Sequence, residues 1–489
     1  MERNHTIMQF FEWHIKSDGA HWHRLMELAP ELKERGIDSV WIPPVTKAEN
    51  TDDPGYGIYD LYDLGEFDQK GEVRTKYGVK EDLHKAISAC KEHGINVYVD
   101  IVMNHKAGAD EKETFQVIEV DPNNRDNDLS KPYEIEGWTK FTFPARGKRY
   151  SSFQWNFNHF NGVDYDARHD RKGVFRIVGD NKGWNDPVDS EFGNYDYLMF
   201  ANIDYNHPAV RGEMLYWGWW LANTLDCNGF RMDAIKHINY DFIEEFVDNM
   251  AKKFGKDFYF IGEFWKPDLK SCQDFLEHIE YKIDLFDVGL HYNLEAASKT
   301  GRDYDLTTIF DGTLVKSHPL NAVTFVDNHD TQPNGSLNSW VGDWFKQSAY
   351  ALILLRKDGY PCVFYGDYYG ISGDEPIDSK KEAIDPLLYA RYHKAYGDQE
   401  DYFDHPNTIG WVRRGVSEIE RSGCAVVISN GDEGGKEMFV GEARAGEVWV
   451  DLTNTRKDHI IIEKDGHAFF PVNKESVSVW ALPEEDLEK

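Results

Sequence analysis

The chain has 489 residues, with 54 Lys+Arg against 86 Asp+Glu, which gives a formal charge of −32. That length suggests about two to four domains, and 41% hydrophobic with 29% charged residues is a soluble globular composition. The acidic balance disfavours nucleic acid and anionic membrane surfaces as partners, since both need clustered Lys and Arg. A neutral ligand or a cation fits better, and solubility alone would account for the charge.

No run approaches the ~20 apolar residues needed to cross a bilayer. Residues 1–11 carry no basic segment followed by an apolar core, so no signal peptide is expected. Cys90, Cys227, Cys272, Cys362 and Cys424 are scattered and odd in number, which reads as buried thiols in a reducing cytosol. A cytoplasmic location follows as the expectation.

Strand candidates run in chain order through Thr6–Phe11, Ser39–Ile42, Asn96–Ile101, Gly229–Met232, Tyr259–Gly262, Ile283–Phe286, Ala322–Val326 and Cys362–Phe364. Several are continuously apolar, as parallel strands covered on both faces must be. Helical stripes separate them. Val210, Met214, Trp217, Leu221 and Leu225 share one face; Ile243, Phe246, Val247, Met250 and Phe254 share another, with Gly255 as a stop. Eight strand–helix repeats predict a closed (β/α)₈ TIM barrel, with an open doubly wound sheet as the runner-up.

The helical period disappears between about residues 105 and 207. A hundred residues cannot form one structureless loop, so this stretch is expected to be an inserted, irregular β-rich domain after the third strand. From about residue 397, alternating runs at Thr408–Val412, Cys424–Ser429, Glu447–Leu452, His459–Glu463 and Ser476–Ala481 predict a C-terminal antiparallel β-sandwich. The expected division is therefore 1–104 with 208–396 as barrel, 105–207 as insertion and 397–489 as C-terminal domain.

In such a barrel, side chains at the C-terminal strand ends converge on one face. Here those ends read Asp100–His105, Gly229–His237, Gly262–Trp265 and Asp327–Asp330. Acids in apolar strands are costly to bury without partners. Four acidic strand ends with Arg231 among them imply a charged cluster around one pocket, with one pKa pushed up and another held down. A protonated acid facing an ionised nucleophile is what glycoside hydrolysis needs. A rim salt-bridge network would explain any one of these acids, though poorly all four together.

Those four segments resemble the signature regions of the α-amylase family, glycoside hydrolase family 13, in the family's order. Leu198–Pro208 resembles an additional region, and similarity extends over the whole chain, including Gln9–Trp13 and Gly55–Phe67. Among subgroups, the chain is most similar to bacterial liquefying-type enzymes and their cytoplasmic members. The resemblance implies Asp233 as nucleophile, Glu263 as general acid and then base, and Asp330 as the group that orients the sugar. It also implies that Arg231 keeps Asp233 ionised, that His105 and His329 hydrogen-bond the sugar, and that Tyr56 stacks on it. Lys236 and His237 would line the leaving-group side, and Trp265 is expected to stack on sugar as well. With 26 Tyr, 15 Trp and 29 Phe, most aromatics must be core, and Trp13 and Trp155 are expected to pack.

The resemblance further implies a calcium ion clamping the insertion to the barrel, with donors Asn104, Asp196, Asn202 and the His237 carbonyl. Asn202, Asn161, Asn185 and Asn206 stand where relatives carry Asp, and an amide brings no charge, so one ion at most is expected, weakly held. Pro406, Asn407 and Asn430 replace the donors of a second, interdomain site.

The function implied is retaining endo-hydrolysis of α-1,4-glucosidic bonds in starch, glycogen or maltooligosaccharides; the sequence leaves the oligomeric state open, a monomer being favoured. The alternatives are an α-glucan transglycosylase using the same acids and, from a different class, a non-catalytic glycan-binding protein on an inherited barrel.

Overall fold

Eight short parallel strands close on themselves in the computed structural model, which describes residues 3–484. They are β1 (Ile7–Gln9), β2 (Ser39–Ile42), β3 (Asn96–Ile101), β4 (Gly229–Met232), β5 (Tyr259–Gly262), β6 (Asp284–Phe286), β7 (Ala322–Phe325) and β8 (Tyr360–Phe364). Each pairs in parallel with the next, and β8 returns to β1. The open-sheet alternative is thereby excluded. The outermost predicted positions, residues 1–2 and 485–489, lie outside the described residues.

The apolar runs are strands because both faces are covered: all four residues of β2, β4 and β7 are buried. The helical stripes face the barrel as their period requires. Val210, Met214, Trp217, Leu221 and Leu225 are buried on the helix Pro208–Leu225. On the next helix, Tyr240–Phe254, Ile243, Phe246, Val247 and Met250 are buried, the Asn239 side chain caps the start through the Phe242 N–H, and Gly255 ends it at φ 92°.

The stretch between β3 and β4 is more regular than its sequence suggested. Seven strands, including an 11-residue one at Glu111–Asp121, form an antiparallel sheet. Polar residues alternate along its long strands, so the period of two was diluted by an almost wholly solvated face.

Beyond the barrel lie a six-stranded and a two-stranded antiparallel sheet. They share a core that includes Val412, Val427, Met438, Trp449, Phe470 and Trp480. Three of their strands, Gln399–Tyr402, Gly434–Phe439 and His467–Val472, have no counterpart among the sequence-predicted runs. The first two are too polar or glycine-rich to announce themselves. All five cysteines are buried and free.

Candidate active site

Strand register builds the site. Arg231 on β4 is the direct neighbour of Asp100 on β3, and the two meet at 3.0 Å in complete burial. Asp233 lies two residues past Arg231, on the same side of the chain, with its Oδ1 2.7 Å from Arg231 Nη1. Glu263 follows Gly262 at the end of β5, and its Oε2 stands 3.1 Å from the other guanidinium nitrogen, Nη2. A Cβ at position 262 would come within 2.3 Å of the Ile235 side chain, which would have to shift to admit one. Barrel bonding continues past the strand ends: Asp233 N–H reaches the Ile101 carbonyl at 3.0 Å, and Glu263 N–H the Met232 carbonyl at 2.9 Å. The acids are therefore held by backbone as well as by charge.

One guanidinium thus serves three carboxylates. It also lies over Trp41, 4.8 Å from the ring centroid, a cation–π contact. Burial pushes Glu263 up to about 8 and Asp233 up to about 7, against the pull of Arg231. Asp100, also raised by burial, is held at about 6 with Arg231, Tyr56 and Trp41 as partners. All three are raised, so the expectation that one acid would be held down is not met; burial outweighs Arg231 at each, and Glu263, raised furthest, is the group that best keeps a proton. The Ala234 N–H donates to Glu263 Oε2 at 2.9 Å and fixes which oxygen stays bare.

These groups open into a cavity of about 500 Å³. Nine of the ten residues predicted for catalysis or sugar contact line it: Asp233, Glu263, Asp330, Tyr56, His105, Lys236, His237, Trp265 and His329. Arg231, fully buried, sits beneath. Tyr56 donates to Asp100 at 2.9 Å and lines the cavity, so the hydrogen bond fixes the ring there. Both ring nitrogens of His105 face protein oxygens, those of Tyr56 (2.9 Å) and Asn104 (3.2 Å), so a sugar hydroxyl would share a nitrogen with one of them. Lys236 spans Glu191 (3.2 Å) and the Trp265 carbonyl (3.1 Å), which ties β4's loop to β5's. Burial drives His237 down to about 3, so it is neutral, with Nδ1 2.7 Å from the Tyr195 carbonyl.

Some residues of the site were missed. Trp13, expected to pack in the core, lines the cavity and stacks on Tyr56 at 5.8 Å and 9°. Ser336 donates to Asp330 Oδ1 at 2.8 Å. Met199 and Phe200, from the inserted stretch, form part of the cavity wall. Nothing in the sequence around Ser336 marks it; Trp13 was signalled only by lying in the Gln9–Trp13 motif. Trp155 is buried, as packing requires.

The four predicted calcium donors also converge. Asn104 reaches the His237 carbonyl at 3.2 Å and the Asp196 carbonyl at 3.5 Å. Asp196 takes the side-chain amides of Asn161 (2.7 Å) and Asn185 (2.8 Å), and Asn202 donates to Asn161 at 2.8 Å. Among the described residues, no Lys, Arg or His pairs with the Asp196 carboxylate, and Asn202 Oδ1 and Asn185 Oδ1 are buried without partners. Unpaired amide oxygens beside one buried carboxylate suit a hard, oxygen-seeking cation.

A closed parallel barrel whose rim gathers three carboxylates around one guanidinium, above a sugar-sized cavity walled by aromatics, is the framework of a glycoside hydrolase. Residues 23–400 match the model of the α-amylase catalytic domain. The chain is 50% identical to the glucan 1,4-α-maltohexaosidase of Bacillus sp. (strain 707), over 98% of this chain and 92% of that one. It is 44% identical to the cytoplasmic α-amylase of Escherichia coli K12, over 99% of both. A crystal structure of an Anoxybacillus α-amylase, 17% identical, superposes with a TM-score of 0.66 over 99% of each chain, which speaks for the fold alone. The chain belongs to the α-amylase family, glycoside hydrolase family 13.

Proposed function

We propose that the protein cleaves internal α-1,4-glucosidic bonds of starch, glycogen and maltooligosaccharides with retention of the α-configuration. The observation that carries this reading is Arg231 touching both Asp233 and Glu263, because it places a nucleophile and a proton donor on one guanidinium. Asp233, ionised first, attacks the anomeric carbon while Glu263 passes its proton to the leaving glycosidic oxygen. A covalent glycosyl–Asp233 ester results. Glu263, now a carboxylate, takes a proton from water, whose oxygen displaces Asp233 and regenerates both groups. Asp330 orients the ring hydroxyls and stabilises the oxocarbenium-like transition state. Tyr56, Trp13 and Trp265 supply apolar faces for glucose rings.

The same reading includes one calcium ion held by Asn104, Asp196, Asn202 and the His237 carbonyl. Its chemistry would be structural: it would tie the inserted sheet to the ends of β3 and β4. The relative named cytoplasmic supports an intracellular site of action on glucan stores.

Glu263→Gln tests the assignment. With soluble starch the variant should bind glucan yet release reducing sugar at least about a hundredfold more slowly, and proton NMR of the wild-type reaction should show the α-anomer first. Equal rates for both proteins would remove Glu263 from the chemistry. Early dominance of products longer than the substrate would make the protein a transglycosylase.

A further inference from the structure

Gln9 ends β1 between Met8 and Phe10, wholly buried in a barrel wall where a polar side chain is costly. Its amide Nε2 stands 2.9 Å from His329 Nδ1. On the other edge of the same ring, His329 Nε2 lies 3.3 Å from Asp330 Oδ2, is buried, and has no hydrogen-bond partner among the described residues. His329 lines the cavity and stacks against Tyr56 at 5.1 Å and 5°.

We infer that Gln9 is a positioning residue that locks His329 in the tautomer carrying its proton on Nε2, so that the catalytic cavity is presented with a donor. This rests on the reading of the cavity as a glucan-cleaving site. A bare Nε2 lone pair would point at the Asp330 carboxylate and be repelled, so the proton belongs on Nε2. The ring is neutral, since burial drives His329 down to about 4. Nδ1 is therefore unprotonated and needs a donor, which among the described residues the amide end of Gln9 supplies. Gln9 Oε1 is left without a partner, the cost of facing the amide this way. Which ring nitrogen of a histidine bears the proton is set by the bond made at the other.

A donor at Nε2 has one use and one consequence. It is free to bind a sugar hydroxyl oxygen, and its partial positive charge faces Asp330 Oδ2 at 3.3 Å while Ser336 holds Oδ1 at 2.8 Å. With the opposite tautomer, Asp330 and His329 would compete as acceptors for the same hydroxyl.

The charged groups facing His329 are Asp330 beside Nε2 and Arg231 beneath; Tyr56, Trp13, Trp41 and Phe11 surround it without charge. Gln9→Glu would add an acceptor at Nδ1 and draw a second proton onto the ring. Gln9→Leu would remove the donor at similar volume.

The experiment is long-range ¹⁵N–¹H NMR of protein labelled in histidine side chains, with the His329 signal assigned by its loss in His329→Gln, alongside kinetics on a maltooligosaccharide. Wild type should show His329 with a protonated Nε2 and an acceptor Nδ1 at pH 7. Gln9→Leu should give a tautomer mixture and a kcat lowered about tenfold, the size of one net hydrogen bond, with KM within about twofold. Gln9→Glu should show an imidazolium at pH 7 and a displaced acid limb of the pH–rate profile. A protonated Nδ1 in the wild type overturns the inference, as does Gln9→Leu with an unmixed Nε2–H signal and an unchanged kcat. If Gln9→Leu does not fold, the wild-type tautomer and Gln9→Glu decide. A wild type that cleaves no glucan yet shows the Nε2–H signal would refute the proposed function and leave the lock intact.

Discussion

Arg231 Nη1 lies 2.7 Å from Asp233 Oδ1, from a residue only two positions away on the same chain. The pair is made by strand geometry rather than by a long-range fold contact: alternate residues of an extended chain face one side. Its consequence is long-range. The same guanidinium reaches Asp100 on β3 and Glu263 just past β5, so one residue supplies the counter-charge for carboxylates from three strands.

Replacing Arg231 should therefore damage folding and chemistry together. Arg231→Met leaves buried carboxylates without a counter-charge, and removing one partner of such a buried pair costs about 3–5 kcal/mol. Thermal melting at pH 7 should show a large loss, which shrinks at pH 4, where the acids are protonated. Arg231→Lys keeps the charge but loses the planar fork that spans two acids. It should fold, and lose about a hundredfold in kcat. A lysine variant of near-normal activity would show that charge alone matters.

The pKa order fixes a pH profile. Activity needs Asp233 ionised and Glu263 protonated, so the rate should rise as pH passes about 7 and fall as it passes about 8. A rate still climbing at pH 9 would dismiss Glu263 as the acid. Stability follows the same groups with its own sign. Asp100, Asp233 and Glu263 are all raised by burial above their ordinary values, so the folded protein holds more protons than the unfolded one. Their contribution is complete below about 4 and is lost as pH rises through about 6 to 8. Glu263→Gln, which never ionises, should melt above wild type at pH 8 to 9, with the gap closing toward pH 4.

Much of this was legible because barrel strands in this chain are short, apolar and followed by acids. Four predicted strands, Ser39–Ile42, Asn96–Ile101, Gly229–Met232 and Tyr259–Gly262, have the observed bounds, and three of them lead straight into site residues. What escaped was set by tertiary position alone. Trp13 belongs to no periodic pattern, and only the closure of β1 against β8 and β2 brings it beside Tyr56. Ser336 and Gln9 act through single hydrogen bonds to residues far along the chain or on a loop, which no local pattern encodes. The strand Gly434–Phe439 was hidden because its first two residues are glycines that carry no alternation.

The cation proposal makes a stability prediction separate from catalysis. A ligand bound only by the folded state raises melting temperature in proportion to the logarithm of its concentration over Kd. Wild type should melt at a lower temperature in chelator than in excess calcium, by a small margin because Asp196 is the one carboxylate in the donor set. Asn202→Asp restores a charge beside the orphaned oxygen site and should widen that margin. Identical melting of the variant with and without calcium would remove this cluster as a cation site.

The contact between barrel and C-terminal sheets should behave differently. Asn430 is fully buried, and its amide donates to the carbonyls of Gly301 at 2.9 Å and Tyr304 at 2.8 Å. Asn407 donates in turn to Asn430 Oδ1 at 3.0 Å and to the Arg302 carbonyl. Two amides thus satisfy three backbone carbonyls at the junction, with no charge required. Asn430→Ala leaves the Gly301 and Tyr304 carbonyls without these donors, at about 1–3 kcal/mol. The variant should melt lower by the same amount in calcium and in chelator, while kcat at low temperature stays at the wild-type value, because the contacts given above for Asp233, Glu263 and Asp330 come from the barrel strands and their loops. A melting loss that calcium reverses would mean that a cation, and not the amide pair, joins the two parts.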